Sequence, residues 1–370
     1  MANEFITTQQ IADAASVLLE NRLILAGTLD HNTESMFGRG TGKSVLVRTA
    51  ASLTPAGDLN KDGTAGTDTL NETSTEVVLE KHFYKKVALS AVDRTLGIHD
   101  LAKQVIAPMM DSIVMSIEGY ANAKLAANAG GKTGSTYSAP TTLADCARAN
   151  KWFTENRIVP QGRYAFIGPD SEEALLQLEG FTSGDYGADG PQALRDATLG
   201  KRMGMQFVVN PYATEVAAIP GTLTVKNEAN AGAKTISVAG INAGTAIPAG
   251  AAITIGGVQY FVAEAIASAN ASEQPVKLSI GLKARATAGA AITASAYPQA
   301  FIAQKSCAAI AIVAPEASAG ASSSVAQYRG VSVRVTSDFD GNTLGDTLTI
   351  DVLVGMKVIR PEACALFTAK

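Results

Sequence analysis

The stretch from Ser74 to Ala91, STEVVLEKHFYKKVALSA, alternates apolar and polar residues over about three times the length of an ordinary strand. Because successive strand side chains point to opposite faces, Val77, Leu79, Lys81, Phe83, Lys85, Val87 and Leu89 share one face. A shorter alternating run, KSVLVRT, precedes it and places Val45 and Val47 together. Between the two lies AASLTPAGDLNKDGTAGTDTLNET, which is polar and rich in turn residues. Two strands with an elaborate tip predict a hairpin arm projecting from a body. An isolated hairpin is only marginally stable in water, so such an arm needs a partner to lie on. EKHFYKK, the densest basic cluster, reads as part of this strand.

The clearest helix runs from Asp100 to Ala129. Leu101, Val105, Met109, Ile113, Ile117, Ala121 and Leu125 recur every four residues, which makes one apolar stripe. Pro108 lacks an N–H, so the helix is expected to kink or restart there. An earlier amphipathic helix is predicted over Thr8–Leu25. Ile11, Ala15, Leu18, Leu19 and Leu23 lie on one side, with Thr7 or Thr8 as cap. It packs either on its own body or on a neighbour's.

After the glycine-rich NAGGKTGSTYS comes a helix from Thr142 to Asn156, then a buried strand RYAFIG. PDSEEALLQLEG reads as a capped helix opened by Pro169 and Asp170. From Thr222 to Ala296 the chain is poor in charge and divides into short strands: GTLTV, AKTISVAG, AAITIGGVQYFVAEA, VKLSIG and AAITASA. Such spacing predicts a small all-β barrel or sandwich inserted into the surrounding α/β sequence. VSVRVTSDF and DTLTIDVLVGMKVIR, joined by a turn at DGNTLG, are an antiparallel pair.

Chemistry is sparse. The 370 residues carry a net charge of −4, which gives no basic field for gripping nucleic acid. Three cysteines, Cys146, Cys307 and Cys364, fit free thiols in a reducing compartment. The N-terminus shows no secretory pattern and no stretch is long enough to span a membrane, so a soluble, cytosolic product is expected. FGRGTGKS ends like a phosphate-binding loop, but position 37, where glycine is required, is Phe37. The residues after Lys43 alternate like a strand, so a glycine-rich turn into that strand is the better reading.

Asp58, Asn60 and Asp62, with Gly63, occupy the first half of a calcium loop, yet Thr69 stands where a bidentate carboxylate is needed. An Asx-rich turn at an exposed tip is the simpler explanation, and DFDGN at Asp338–Asn342 reads as a hairpin turn. His31, His82 and His99 lack metal-ligand spacing, and Cys146 reads as a small buried hydrophobe on a helix. Glu172 and Glu173 suit the first turn of their helix. The sequence predicts no catalytic residue, no resident metal and no cofactor.

The order of elements resembles one family. A terminal helix, a long hairpin arm, a spine-like helix, a mixed body with a β-insertion and a returning strand pair look like the major capsid (coat) proteins of tailed phages with the HK-97-like fold. The branch with an inserted β-barrel, the P-22-like coat proteins, is the most similar. Four stretches carry the resemblance: VPQGRYAFIGPDSEEALL at Val159–Leu176, TLGKRMGMQFVVNPYATEVAAIPG at Thr198–Gly221, PAGAAITIGGVQYFV at Pro248–Val262, and the run from Arg329 to Cys364. The calcium-like loop at the tip departs from the family.

The resemblance implies an α+β fold with an N-terminal arm at 1–35 and an extended hairpin (E-loop) at 36–92. It implies a peripheral domain with the spine helix at 93–162 and an axial domain at 163–221 and 297–327. The inserted β-domain would be 222–296, and C-terminal peripheral strands 328–370. It further implies self-assembly into pentamers and hexamers of an icosahedral head. Such a head encloses double-stranded DNA without sequence-specific binding and works with scaffolding, portal and decoration proteins. The subunit would be made in the host bacterial cytoplasm and end in the virion. The alternatives are a tail or baseplate protein and a binding protein with an immunoglobulin-like module.

Overall fold

In the computed structural model the described residues are 8–37, 42–49, 73–90, 102–134, 138–183, 199–213, 215–318, 320, 322–340 and 345–369. The arm tip with Asp58, Asn60 and Asp62 lies outside them, as do His99, Leu101 and the turn at 341–344.

Helix α1 (Thr8–Arg22) buries Ile11, Ala12, Ala15, Ser16 and Leu19. It ends at Arg22, not Leu25, because the N–H groups of Ile24, Leu25 and Ala26 turn to a side chain of the spine helix. Leu25–Thr28 forms a short α2. Strand β1 (Ser44–Thr49) pairs with β2 (Thr73–Val78), Ser44 opposite Val78.

The long alternating run is two strands, which corrects its reading as one arm strand. It breaks at Leu79 and Glu80, and β3 (Lys81–Ser90) pairs with β19 (Gly345–Val358) in the body. The Leu79 N–H still donates to Lys43 O at 2.9 Å, while that of Glu80 donates to Val354 O at 3.1 Å. The chain changes partner within two residues. It crosses β19 at Gly355, where a Cβ would fall 2.3 Å from Val78 O. So among the described residues of the predicted arm, β1 and β2 form a sheet of their own while β3 belongs to the body sheet.

The spine helix has a π turn at Ala102–Ile106 followed by α3 (Ala107–Asn128). Pro108 sits in the first turn of α3 directly after the wider π turn, and Ile106 at the junction keeps helical dihedrals (φ −67°, ψ −44°), so the helix runs on and the π turn accommodates the ring. Val105, Met109, Ile113, Ile117, Ala121 and Leu125 are all buried, and α3 packs against β19, β3 and α1. Helix α4 (Leu143–Glu155) opens with a reciprocal capping box between Thr142 and Asp145. Next come β4 (Arg163–Ile167) and α5 (Pro169–Leu176), whose N-cap is Gly168 with no side-chain cap, and a short α6 (Glu179–Thr182). Strands β5 (Lys201–Arg202), β6 (Met205–Val209) and β7 (Glu215–Val216) precede the charge-poor region.

That region holds β8 (Gly221–Val225), β9 (Thr235–Ile241), β10 (Ala252–Ile255), β11 (Val258–Phe261), β12 (Gln274–Lys277) and β13 (Ile292–Ser295). They form two three-stranded sheets, β11-β10-β13 and β12-β9-β8. Backbone bonds tie the sheets at both edges: Val225 N–H to Ala290 O (2.9 Å) on one side, Ser279 N–H to Phe261 O (2.9 Å) on the other. The six strands therefore close into a ring around an aliphatic core running from Ile219 to Ile292.

The chain continues through β14 (Tyr297–Pro298), β15 (Phe301–Gln304), β16 (Ala308–Val313), β17 (Ser322–Tyr328), β18 (Val331–Asp340), β19 and β20 (Cys364–Leu366). In the larger sheet β3 lies on one edge of β19, β18 and β16 take successive stretches of the other, and β17 flanks β18. A second sheet runs β20-β15-β4-β6-β5, with β4 and β6 parallel. The predicted segments 297–327 and 328–370 thus do not each keep to one sheet. β16 joins β19, and β20 crosses to β15. The crossing rests on the glycine-rich turn, since a Cβ on Gly130 would meet Pro361 O at 2.3 Å and one on Gly134 would meet Ala369 O at 1.8 Å.

Candidate assembly surfaces

The N-terminal segment is held on the body by two buried carboxylates. Met110, Val114, Glu118, Asn122 and Ala126 form a second stripe on α3, one residue beyond the predicted one, and all are buried. From it the fully buried Glu118 accepts the N–H groups of Ile24 (2.7 Å), Leu25 (3.1 Å) and Ala26 (3.1 Å), the orphan donors that open α2. Burial pushes the Glu118 carboxyl above its ordinary pKa, against the pull of those three N–H groups. Asn122 accepts from Asn210 Nδ2 at 3.2 Å.

The second anchor is Glu34. Its Oε1 lies 2.7 Å from His31 Nδ1 and accepts the N–H of Ile312 in β16 at 3.0 Å. His31 Nε2 faces the Ala26 carbonyl at 2.9 Å, an acceptor only, so that nitrogen carries the proton. Burial acts to lower the His31 pKa, but Glu34 and the Ala26 carbonyl outweigh it and hold it raised. Burial also raises Glu34. The pair therefore keeps a proton to higher pH than either group alone in water. Glu34 Oε2 is buried without a hydrogen-bond partner among the described residues, close to where a Gly330 Cβ would stand (2.5 Å). Backbone and side-chain bonds continue the contact along β16: Ile310 N–H to Asp30 O (3.0 Å) and Thr33 Oγ1 to Ile310 O (3.1 Å).

The six-stranded ring meets the body at the end of the spine. Gly250, at φ +87°, lies so close that a Cβ would fall 2.6 Å from Ala126 Cβ. The buried Tyr297 donates its hydroxyl to Gly250 O at 2.6 Å and meets Phe261 edge-on at 6.1 Å between ring centres. A cleft of 740 Å³ opens beside this joint, between the ring, α3 and the β2–β3 break. Three of its five charged residues, Glu80, Lys124 and Glu264, are paired. Lys124 holds Glu80 at 2.7 Å, Tyr120 donates to Glu80 at 3.2 Å, and Lys277 holds Glu264 at 2.9 Å. The described lining contains no serine, cysteine or histidine that would act as nucleophile or base.

The residues singled out in sequence scatter. Ser44 opens β1, so a strand and not a helix follows the phosphate-loop-like GKS. His82 lies 2.7 Å from the buried Asp351, which Arg334 grips with two N–H groups at 2.9 and 2.5 Å, a clamp across β3, β19 and β18. Cys146 is buried on α4 and burial pushes its thiol up to about 12. No cluster of His, Cys, Asp and Glu among the described residues is arranged to hold a metal. No described helix is long and apolar enough to cross a membrane. Sequence reasoning missed Glu118 and Glu34; Glu118 was detectable as a lone acid within an apolar i, i+4 row.

Large apolar side chains stand exposed at Leu46 on β1, Tyr84 on β3, Met115 on α3, Val159 before β4 and Phe339 on β18. No protein-family model matches the sequence, and no curated protein matches it either. Solved structures do. A structure from Mycobacterium phage Che8 superimposes with TM-score 0.52 at 13% identity, covering 94% of this chain and 92% of that one. The capsid structure of cyanophage P-SCSP1u gives 0.49 at 13% identity, covering 89% and 84%. The capsid of phage PhiM1 gives 0.45 at 10% identity, covering 88% and 82%. The chain has an α+β fold shared, over nearly its whole length, with a mycobacteriophage structure.

Proposed function

We propose that the chain is the major capsid subunit of a tailed phage, of the HK-97-like fold, and that it acts by self-assembly and not by catalysis. The carrying observation is the near end-to-end likeness to the Che8 phage structure, with the β1–β2 hairpin, the spine helix and two linked sheets in the order the family uses. In this reading β1–β2 and the tip lie over the adjacent subunit, exposed Leu46 included. The second sheet contributes to five- and six-fold centres, and the closed ring is the inserted domain of a P-22-like branch. Closed shells repeat heterologous contacts through symmetry, so one subunit needs several distinct surfaces. A chain with net charge −4 suits an inner wall that does not grip the DNA it encloses. Scaffolding, portal and decoration proteins complete the assembly, in the host cytoplasm and then the virion.

The test is expression of the chain alone and with its neighbouring genes, followed by sedimentation and negative-stain electron microscopy. Closed shells, or rings of five and six, are expected. A monomer in both preparations would overturn the reading.

A further inference from the structure

Two of the three cysteines are brought together by the crossing of the C-terminal strand. Cys307 ends the short turn Lys305–Cys307 between β15 and β16, and Cys364 opens β20. They are 57 positions apart in sequence. The register places Cys364 opposite Ala303 on β15. The Cys307 carbonyl accepts the N–H groups of Ile359 (2.8 Å) and Arg360 (3.0 Å), which folds the approach to β20 over the turn. Both side chains are fully buried and both are free thiols, and Cys307 is the neighbour that acts on the Cys364 thiol. Cys146 is separate, on α4.

The Cys307 turn and the start of β20 are already held together by the Cys307 carbonyl and by the pairing of Cys364 with Ala303, so the two thiols need no long chain movement to meet. We propose that Cys307 and Cys364 are a dithiol–disulfide site that closes when the chain meets a small-molecule disulfide, stapling the C-terminal strand to the turn between β15 and β16. The Cys307 thiolate attacks one sulfur of the small disulfide, breaks its S–S bond and expels one small thiolate. The Cys364 thiolate then attacks the Cys307 sulfur of the mixed disulfide, forming the protein S–S bond and expelling the second. The two protons lost by the protein thiols end on the two small thiols released. The protein pair is oxidised and the small disulfide reduced, so atoms and electrons balance.

The closed fold governs when this happens. Cys307 and burial hold the Cys364 thiol far above its ordinary pKa, so in the folded chain it stays protonated and unreactive. Reaction requires β20 to lift. β20 is only three residues long and lies between β15 and the Gly130–Thr133 stretch, bonded to both, so its two neighbours enclose Cys364 once the fold is complete. The site is therefore loaded during folding or local opening and shielded afterwards. The bridge would close the long loop through β16, β17, β18 and β19, and closing a long loop in the unfolded chain favours the folded state. This chemistry does not depend on which assembly the chain enters.

The test refolds the full, reduced chain in a mixture of reduced glutathione and glutathione disulfide, or in reduced glutathione alone. The product is quenched in acid, denatured, alkylated and digested for mass spectrometry. Expected after the mixture is a linked Cys307–Cys364 peptide pair with Cys146 alkylated, and after reduced glutathione all three alkylated. The oxidised chain should also unfold at higher denaturant than the reduced one, a difference kept in Cys146→Ser and lost in Cys307→Ser. Full alkylation of Cys307 and Cys364 after the mixture would overturn the proposal. So would pairing of either with Cys146 or glutathione as often as with each other. The linkage map on the unmodified sequence decides the matter even if a serine variant fails to fold.

Discussion

Replacing Glu118 with glutamine removes the charge at the joint between the spine and the N-terminal segment while keeping its size. The carboxylate accepts three N–H groups, from Ile24, Leu25 and Ala26. An amide oxygen has two lone pairs, and the amide nitrogen only donates, so at least one buried donor loses its partner. Losing a charge-assisted bond costs about 1.5–3 kcal/mol and stranding a buried donor about 1–3 kcal/mol. Relief from burying a charge, the same burial that raises the Glu118 pKa, offsets part of this, leaving about 2–4 kcal/mol. The loss falls on the local docking of residues 24–26, so hydrogen exchange of those amides is the assay. At tenfold per 1.4 kcal/mol, exchange should quicken about 30- to 700-fold in Glu118→Gln. Glu155→Gln is the control, because Glu155 makes only a surface pair with Lys151 at 3.4 Å. Unchanged protection of Ile24–Ala26, or an effect no larger than the control's, would show that the carboxylate does not hold the segment.

The same joint sets a pH dependence. His31 has a raised folded pKa, so its contribution is complete below the unfolded value of 6.5 and is lost as pH rises through the raised value. Glu34 and Glu118 are also raised from 4.5, so the folded state holds their protons more tightly and their contribution likewise declines with rising pH. Limited proteolysis of residues 8–37 should be slower at pH about 5.5 than at about 8.5, and the reverse order would contradict the proton-linked anchor. Gly250→Ala adds a Cβ 2.6 Å from Ala126 Cβ at positive φ and should cost about 1–3 kcal/mol. Exchange should rise at Pro248–Gly250 and the end of α3 but not in β9 or β10; a uniform rise would mean that the ring does not fold on its own core. Deleting Ala51 to Glu72, which keeps Thr49 opposite Thr73, should leave circular dichroism unchanged and abolish shells. Normal shells would refute the arm assignment.

What the sequence discloses depends on whether a pattern carries its own partner. The α3 stripe and the helix beginning near Thr142 were legible because helix periodicity is local. The charge-poor region was legible as a series of short strands, but AAITIGGVQYFVAEA, read as one run, turns at Gly256–Gly257 into β10 and β11. The break at Leu79–Glu80 was not. The covered side keeps the same parity through the buried Val77 and the half-buried Phe83, Val87 and Leu89, and alternation is silent about which strand lies alongside. The signal that fixes the switch is Gly355, almost three hundred residues away. The route of β20 is likewise written in Gly130 and Gly134, whose meaning depends on a strand that reaches them only in three dimensions. Glu34 and His31 lie in a segment that looks like a polar linker, and only the return of β16 and Gly330 buries them.

Cryo-electron microscopy of the particles formed by the co-expressed chain reads assembly and subunit path in one map. Icosahedral shells built of pentamers and hexamers are expected, with β3 paired to β19 of its own subunit and the β1–β2 hairpin resting on a neighbour. Helical tubes, an isolated ring without shell closure, or a monomer that never assembles would contradict the capsid reading.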